Sequence, residues 1–186
     1  MSLPAAMPLS DPEIRPGLRA YLQAPGAVLI EELGICRGQV RADLAVVSDT
    51  LHGYEIKSDR DSLRRLAGQA GLYGKVFERM TMVVGLRHLE KVRRVVPASW
   101  GLLVVGEGPC FSPVREARRN DELDPRCLVE LLWLDEALAL LEARGAARGV
   151  RGKPRRVVWD RVCERLTTDE IAAAVRAALR TRERIA

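Results

Sequence analysis

Three short segments rich in branched apolar residues follow one another in the first third of this chain of 186 residues. They are Val28–Ile35, Val40–Val47 and Leu51–Lys57, and turn residues such as Gly38 and Ser48 separate them. Short branched runs between turn residues are typical of strands joined by tight connections. The sequence therefore predicts an antiparallel meander, and any fold assigned to the chain must contain it.

Helical and strand-like patterns alternate around the meander. Apolar residues spaced three and four apart predict a helix at residues 11–24 and a second at Asp59–Met80. Further along, the same reasoning predicts strand Thr81–Leu86, a short helix His88–Val95, strand Gly101–Val105, and helices Leu128–Ala143, Val157–Leu166 and Thr168–Arg182. The order α-β-β-β-α-β-(α)-β followed by helices predicts an α/β protein with a C-terminal helical extension.

Composition divides the chain into three parts. Residues 11–106 carry the predicted core, residues 107–126 are a predicted connecting loop with prolines, glycines and mixed charge, and residues 127–186 are a basic helical segment. The last helices fit either a small helix-turn-helix-like unit or a helical flank on the sheet. The sequence leaves both arrangements open.

The positive charge is concentrated near the C-terminus. The net charge is +5, and residues 144–186 contain twelve basic and five acidic side chains. Arginine binds phosphates in a bidentate manner, so this segment indicates contact with nucleic acid, although a solvated basic surface is the plainer alternative. The predicted nucleic-acid contacts are Arg41, Arg151, Lys153, Arg155, Arg156, Arg176 and Arg180.

Other classes of protein are disfavoured. No apolar run approaches the roughly 18–20 residues that span a bilayer, and Met1–Ser10 lacks the basic and apolar regions of a signal peptide. We therefore expect a cytoplasmic protein without a membrane partner. The four cysteines are scattered without C-x-x-C spacing, which favours reduced thiols over a zinc or redox site.

Three charged residues on the second and third strands carry the chemistry. Side chains alternate between the faces of a strand, so Glu55 and Lys57 share one face. A three-residue turn at residues 48–50 would pair Ala45 with Gly53 and set Asp43 opposite Glu55, with Arg41 opposite Lys57. A two-residue turn would place the two acids on different faces.

Two adjacent carboxylates suit a divalent cation. Mg²⁺ (or Mn²⁺) would offset the repulsion between Asp43 and Glu55 and polarise a phosphodiester. Lys57 would add positive charge where the transition state becomes negative. This division of roles fits hydrolysis of a phosphodiester bond.

Asp43 followed by Glu55-Ile56-Lys57, on a hairpin between two helices, resembles the PD-(D/E)XK superfamily. Ala42 stands at the loosely kept proline position. Gln69 and Tyr73 are similar to the Q-x-x-x-Y motif of the RecB-type branch, and residues 41–63 resemble a largely uncharacterised bacterial family. The resemblance covers roughly residues 11–105. It implies a restriction-endonuclease-like core, α-β-β-β-α-β with a mixed central sheet flanked by helices, in which both acids bind metal and the lysine assists.

A further acid often completes such sites. Glu13, Glu31 and Glu32 are the candidates. Strand alternation puts only one of Glu31 and Glu32 on the site face, and Glu32 is taken as the third metal ligand beside Asp43 and Glu55. The two histidines, His52 and His88, lack a partner pattern and are interpreted as surface or turn residues.

The sequence thus predicts a metal-dependent nuclease acting on DNA, with Asp43, Glu55, Lys57, Gln69 and Tyr73 at its catalytic site. The alternatives are a non-catalytic nucleic-acid-binding or regulatory protein on the same fold, or a nuclease subunit active only in a complex. The expected partner is nucleic acid. A homodimer, or a protein partner in a repair or defence assembly, is also consistent with the sequence.

Overall fold

The computed structural model of the protein describes residues 10–106 and 110–183. Residues 1–9 lie outside these ranges, so the prediction that Met1–Ser10 is not a signal peptide concerns mostly undescribed residues. Three residues of the predicted loop and residues 184–186 also lie outside them. The helices are α1 (Asp11–Leu22), α2 (Leu66–Tyr73), α3 (Leu89–Val95), α4 (Pro125–Val129), α5 (Leu134–Ala143), α6 (Arg155–Arg165) and α7 (Thr168–Glu183). The strands are β1 (Val28–Ile35), β2 (Val40–Val47), β3 (Leu51–Lys57), β4 (Arg79–Gly85), β5 (Gly101–Val105) and β6 (Phe111–Arg115).

The six strands form one mixed sheet in the order β1-β2-β3-β4-β5-β6. The first three are the predicted antiparallel meander. The strands β3, β4 and β5 run parallel, and β6 returns antiparallel to β5. Helices flank the sheet, so the predicted α/β class with a C-terminal helical region is confirmed.

The hairpin between β2 and β3 has the predicted three-residue turn. Val47 pairs with Leu51, and Ala45 pairs with Gly53. A Cβ atom added to Gly53 would lie 2.7 Å from the Met80 sulfur and 2.8 Å from the Phe77 ring. Glycine is therefore required at position 53, because Phe77 and Met80 leave no room for a side chain there.

The sheet separates two hydrophobic clusters. On one face, helix α1 packs Ile14 and Leu18 against strand residues such as Leu44. On the other face, strand residues share a single cluster with α2 and with the C-terminal helices, which contribute residues such as Trp159 and Val175. The described C-terminal helices therefore form a flank on the sheet, which is one of the two arrangements that the sequence left open.

The second helix is much shorter than predicted. The prediction of Asp59–Met80 was wrong because Ser58 begins a turn: the Asp61 carboxylate accepts hydrogen bonds from the Ser58 main-chain nitrogen at 2.7 Å and hydroxyl at 2.6 Å. Helix α2 begins at Leu66, and strand β4 begins two residues before the predicted Thr81. Glycines in the predicted helix also lower its intrinsic stability by about 1 kcal/mol each relative to alanine.

Two predictions in the C-terminal half were also wrong. Strand β6 lies within the predicted connecting loop, and Pro113 is compatible with it because β6 is an edge strand. The predicted single helix Leu128–Ala143 is two helices, α4 and α5. Asp124 caps α4 by accepting a hydrogen bond from the Arg126 main-chain nitrogen at 2.8 Å, and the Trp159 indole donates to the Leu132 carbonyl in the break between the helices.

His52 is a partly buried strand residue rather than a surface or turn residue. Its Nε2 lies 2.8 Å from the Thr81 hydroxyl, and its Nδ1 lies 3.2 Å from the Tyr54 hydroxyl. Burial, together with the charge of Arg79, lowers the pKa of His52 to about 4. The ring is therefore neutral at physiological pH and links β3 to β4.

Among residues 10–106 and 110–183, no helix has the length and apolar character needed to cross a membrane.

Candidate active site

The site is centred on Glu55, a carboxylate within strand β3 that is only 3% exposed. Three predicted side chains converge on it. Lys57 Nζ lies 2.5 Å from Glu55 Oε1, Tyr73 Oη lies 2.5 Å from Oε2, and Gln69 Nε2 lies 3.4 Å from Oε1. The structure thus brings together four of the five predicted catalytic residues around a single carboxylate.

Helix α2 positions two of these donors. Gln69 and Tyr73 are four residues apart, so they project from one side of the helix toward the sheet. The Tyr73 hydroxyl also lies 3.0 Å from the Arg41 carbonyl oxygen on β2. Burial, and the nearby negative charge of Glu55, raise the pKa of Tyr73. Tyr73 therefore stays protonated and can donate to Glu55 at any ordinary pH.

Asp43 lies where β2 separates from β3. The paired residues run from Val47–Leu51 to Leu44–Tyr54 and stop one pair short of the predicted Asp43–Glu55 pair. In place of that pairing, the Asp43 carboxylate accepts a hydrogen bond from the Ile56 main-chain nitrogen at 2.6 Å. The predicted pairing of Arg41 with Lys57 is also absent, because the described pairs between β2 and β3 end at Leu44–Tyr54.

Burial and repulsion from Glu55 raise the pKa of Asp43 to about 7. The hydrogen bond from Ile56 and the charge of Arg15 act in the opposite direction but are weaker. The Glu55 charge therefore acts on Asp43 across adjacent strands, although the two residues do not form the predicted direct pair. A second full negative charge is unfavourable here unless a cation accompanies it.

Arg15 is a site residue that the sequence reasoning missed. Its guanidinium reaches from α1 to the Asp43 carbonyl oxygen at 3.0 Å and to Asp43 Oδ1 at 3.1 Å. It also contacts Glu32 at 2.8 Å and Asp11 at 3.0 Å. Arg15 adjoins the buried Ile14, but no motif or spacing in the sequence connects an arginine on this helix with the hairpin.

The three candidate acids have different environments. Glu32 joins the Asp43 network through Arg15 and also lies 3.6 Å from Arg41. Glu31 forms an ion pair with Arg19 on α1, and Glu13 accepts a hydrogen bond from the Ser10 main-chain nitrogen at the start of α1. Of the three, Glu32 shares a partner with Asp43, because Arg15 contacts both carboxylates.

Glu32 has an unusual backbone. Its φ is +53°, in the left-handed region that residues other than glycine rarely adopt. The alternation of buried side chains shifts at this point, since Val28 and Ile30 share one hydrophobic cluster with Leu33. Within the two described ranges, no group of three or more His, Cys, Asp or Glu side chains is arranged to hold a metal ion.

The predicted nucleic-acid contacts do not form one surface. Arg151, Lys153, Arg155 and Arg156 form an exposed run at the start of α6. Arg41 is exposed beside the site and pairs with Glu32. Arg176 turns inward, where it contacts the buried Glu78 at 2.6 Å, and Arg180 is half-buried on the same helix. The exposed run is thus separate from the two α7 arginines.

The raised pKa of Asp43 has a consequence for stability. The folded protein binds a proton at a pH where the unfolded chain, with an aspartate of ordinary pKa 3.8, does not. This group therefore stabilises the fold at acidic pH, and the stabilisation is lost as the pH rises through about 7. We expect the difference in free energy of unfolding between Asp43→Asn and the parent to change by about 2–4 kcal/mol between roughly pH 4 and pH 8, in favour of the variant at high pH.

Denaturant unfolding of both proteins in a chelating buffer measures this difference. Comparing the two proteins cancels the contributions of titrating groups that do not interact with Asp43, such as His52. A difference that stays constant across the range would mean that Asp43 titrates normally in the folded state.

The fold and site together define an α/β protein with a mixed sheet, helices on both faces and a coupled carboxylate pair at the edge of a hairpin. The family model described as Bacteriophage P4 protein cII matches residues 18–184. The chain therefore belongs to the Bacteriophage P4 protein cII family.

Two individual proteins are similar to the chain. Protein cII of Enterobacteria phage P4 is 33% identical over 99 residues, which is 51% of this chain and 38% of that protein. The aligned part of the chain thus spans less than two-fifths of this relative. The solved structure of SPO1766, a protein of unknown function from Silicibacter pomeroyi, superposes with a TM-score of 0.50 and 22% identity. The superposition covers 77% of this chain and 94% of the SPO1766 chain, which indicates a shared fold.

Proposed function

We propose that this protein is a metal-dependent nuclease of the PD-(D/E)XK type that hydrolyses phosphodiester bonds in DNA. The observation that supports this proposal is the convergence of Lys57, Gln69 and Tyr73 on the buried Glu55, with Asp43 coupled to it. Burying a carboxylate is unfavourable unless several donors satisfy it. Clusters of coupled, perturbed groups are more common at functional sites than elsewhere.

The two carboxylates fit a divalent cation. Mg²⁺ takes oxygen ligands and is often held by one or two carboxylates together with waters and substrate phosphates. Burial and repulsion from Glu55 raise the pKa of Asp43, and a cation held by both carboxylates would offset the repulsion. When bound, Mg²⁺ or Mn²⁺ would supply positive charge next to the scissile phosphate.

The other residues have distinct roles in this proposal. The Lys57 ammonium, 14% exposed, can exchange its contact with Glu55 for a phosphate oxygen on which negative charge develops. Gln69 and Tyr73 are positioning residues because they orient the Glu55 carboxylate. Arg15 holds both the carbonyl and the carboxylate of Asp43, so it fixes the end of β2 relative to α1.

The test is cleavage of linear, circular and single-stranded DNA with Mg²⁺ or Mn²⁺, and with a chelator as the blank. We expect metal-dependent cleavage by the parent protein, no cleavage by Glu55→Gln, and normal cleavage by Glu31→Gln. The control changes the same charge on β1, where Glu31 pairs with Arg19 away from Asp43. The circular substrate distinguishes internal cleavage from digestion of ends.

Two results would contradict the proposal. The first is the absence of cleavage with every substrate and both metals, provided that the protein is folded. The second is cleavage that persists in Glu55→Gln, because a contaminating nuclease would then be its source.

A second candidate is a nucleic-acid-binding protein on this fold that does not cleave. One observation favours it: protein donors already contact all four carboxylate oxygens of Asp43 and Glu55. Such a protein would bind DNA equally well with and without metal, and Glu55→Gln would leave that affinity unchanged.

A further inference from the structure

Four arginines line one pocket between α5 and α6. The pocket has a volume of about 490 Å³ and is lined by Arg144, Arg148, Arg161 and Arg165 with Gly145 and Ala146. Arg144 and Arg148 come from the end of α5 and the turn after it, and the other two come from α6. No carboxylate lines the pocket.

Two of the four guanidinium groups have no carboxylate partner among the described side chains. Arg144 contacts Glu170 at 2.5 Å, and Arg161 contacts Glu164 at 3.2 Å. Arg148 and Arg165 form no ion pair within 4.0 Å among the side chains of the two described ranges. The pocket therefore holds a local excess of positive charge.

The arrangement is unfavourable for an empty pocket. Arg161 and Arg165 are four residues apart on one face of α6, and like charges at this spacing destabilise a helix by about 0.2–0.5 kcal/mol. The helix dipole favours cations near each C-terminal end, which accounts for Arg144 and Arg165, and Arg161 is paired with Glu164. Neither effect accounts for Arg148, which lines the same pocket.

The chemistry of the lining identifies the ligand. Each guanidinium has several donors in a plane and binds phosphate through two parallel hydrogen bonds. The volume exceeds that of one phosphate group. The lining has no aromatic ring on which a base could stack, and its four guanidinium groups match the charge of several phosphates. A phosphate backbone fits such a pocket better than a nucleobase does.

We propose that Arg144, Arg148, Arg161 and Arg165 form a binding site for consecutive phosphates of a DNA backbone. The site lies on the C-terminal helices, so it holds DNA through contacts that are separate from Asp43 and Glu55. Binding here is independent of base sequence. It does not depend on cleavage, so it can be tested whether or not the protein is a nuclease.

The experiment measures binding of a short labelled DNA duplex to the full chain by fluorescence anisotropy, in a chelating buffer at several salt concentrations. The variant is Arg148→Ala/Arg165→Ala, which removes the two unpaired cations. The matched control is Arg93→Ala/Arg94→Ala on α3, which removes the same charge from exposed positions outside the pocket. Circular dichroism and thermal unfolding establish that both variants are folded.

We expect the pocket variant to bind about tenfold more weakly than the control or worse. The slope of log K against log salt should fall by about 2, because two phosphate contacts are lost. Equal affinity and equal slope for the two variants would overturn the proposal.

A second arm separates DNA from a free phosphate ligand. Inorganic pyrophosphate is titrated into each protein, and the melting temperature is followed. A pocket variant that loses pyrophosphate binding but retains the DNA affinity of the control would also overturn the proposal, since the pocket would then serve a small phosphate compound.

Discussion

Replacement of Glu78 by alanine will lower the free energy of unfolding by about 3–5 kcal/mol, which is a large part of the stability of a domain of this size. Glu78 is 2% exposed, and its carboxylate accepts hydrogen bonds from the Leu51 main-chain nitrogen at 2.7 Å and from Arg176 at 2.6 Å. Without it, a largely buried guanidinium and a buried N–H group lose their partner. Loss of one member of a buried ion pair is more damaging than loss of both.

The measurement is equilibrium unfolding in denaturant. Glu90→Ala is the control, because Glu90 is exposed and its contact with Arg93 is 3.8 Å long, so its loss should change stability by less than about 0.5 kcal/mol. Addition of Arg176→Ala to Glu78→Ala should recover part of the loss. A Glu78→Ala protein as stable as the control would show that the contact contributes little.

Replacement of Lys57 by alanine will lower the rate of DNA cleavage by about 10²–10³-fold, if the proposed function is right. The Lys57 ammonium is the group that we expect to stabilise negative charge in the transition state. Its loss should act on kcat with little effect on the affinity for DNA, because we propose that the C-terminal arginines supply most of the binding. Lys91→Ala is a matched control, since Lys91 is an exposed lysine on α3.

Single-turnover cleavage and DNA binding in chelator are measured for both variants, with thermal unfolding as a check on the fold. A purely structural role for Lys57 would appear as a lower melting temperature with a proportionate loss of both binding and cleavage. A Lys57→Ala rate within about threefold of the control would remove Lys57 from the proposed chemistry.

The meander was predictable because two independent signals agree on it. Short branched apolar runs bounded by turn residues mark the strands, and the three-residue turn gives the observed pairs Val47–Leu51 and Ala45–Gly53. The convergence of Gln69 and Tyr73 on Glu55 was also within reach of the sequence, since a helix that follows β3 and packs on its face must present residues four apart together. These features depend on local periodicity, which a sequence records directly.

Other features depend on contacts between distant segments. Strand β6 is short, exposed and contains Pro113, so its pattern does not differ from that of a loop. The contact of Arg15 with Asp43 joins residues 28 apart, and any arginine on an amphipathic helix has the same local signature. Glu32 was assigned a face by strict alternation, but its positive φ interrupts that alternation. None of these could be inferred from spacing alone.

The position of α7 has a consequence for synthesis of the chain. This helix packs on the same side of the sheet as α2, and its Arg176 contacts Glu78 across 98 residues. During synthesis, the described strands therefore leave the ribosome before α7 does. Until α7 is made, part of one apolar face of the sheet stays uncovered. Such long-range closure slows folding and leaves exposed apolar surface open to aggregation. Nascent chains that end before α7 should depend on chaperones, whereas chains that include α7 should not.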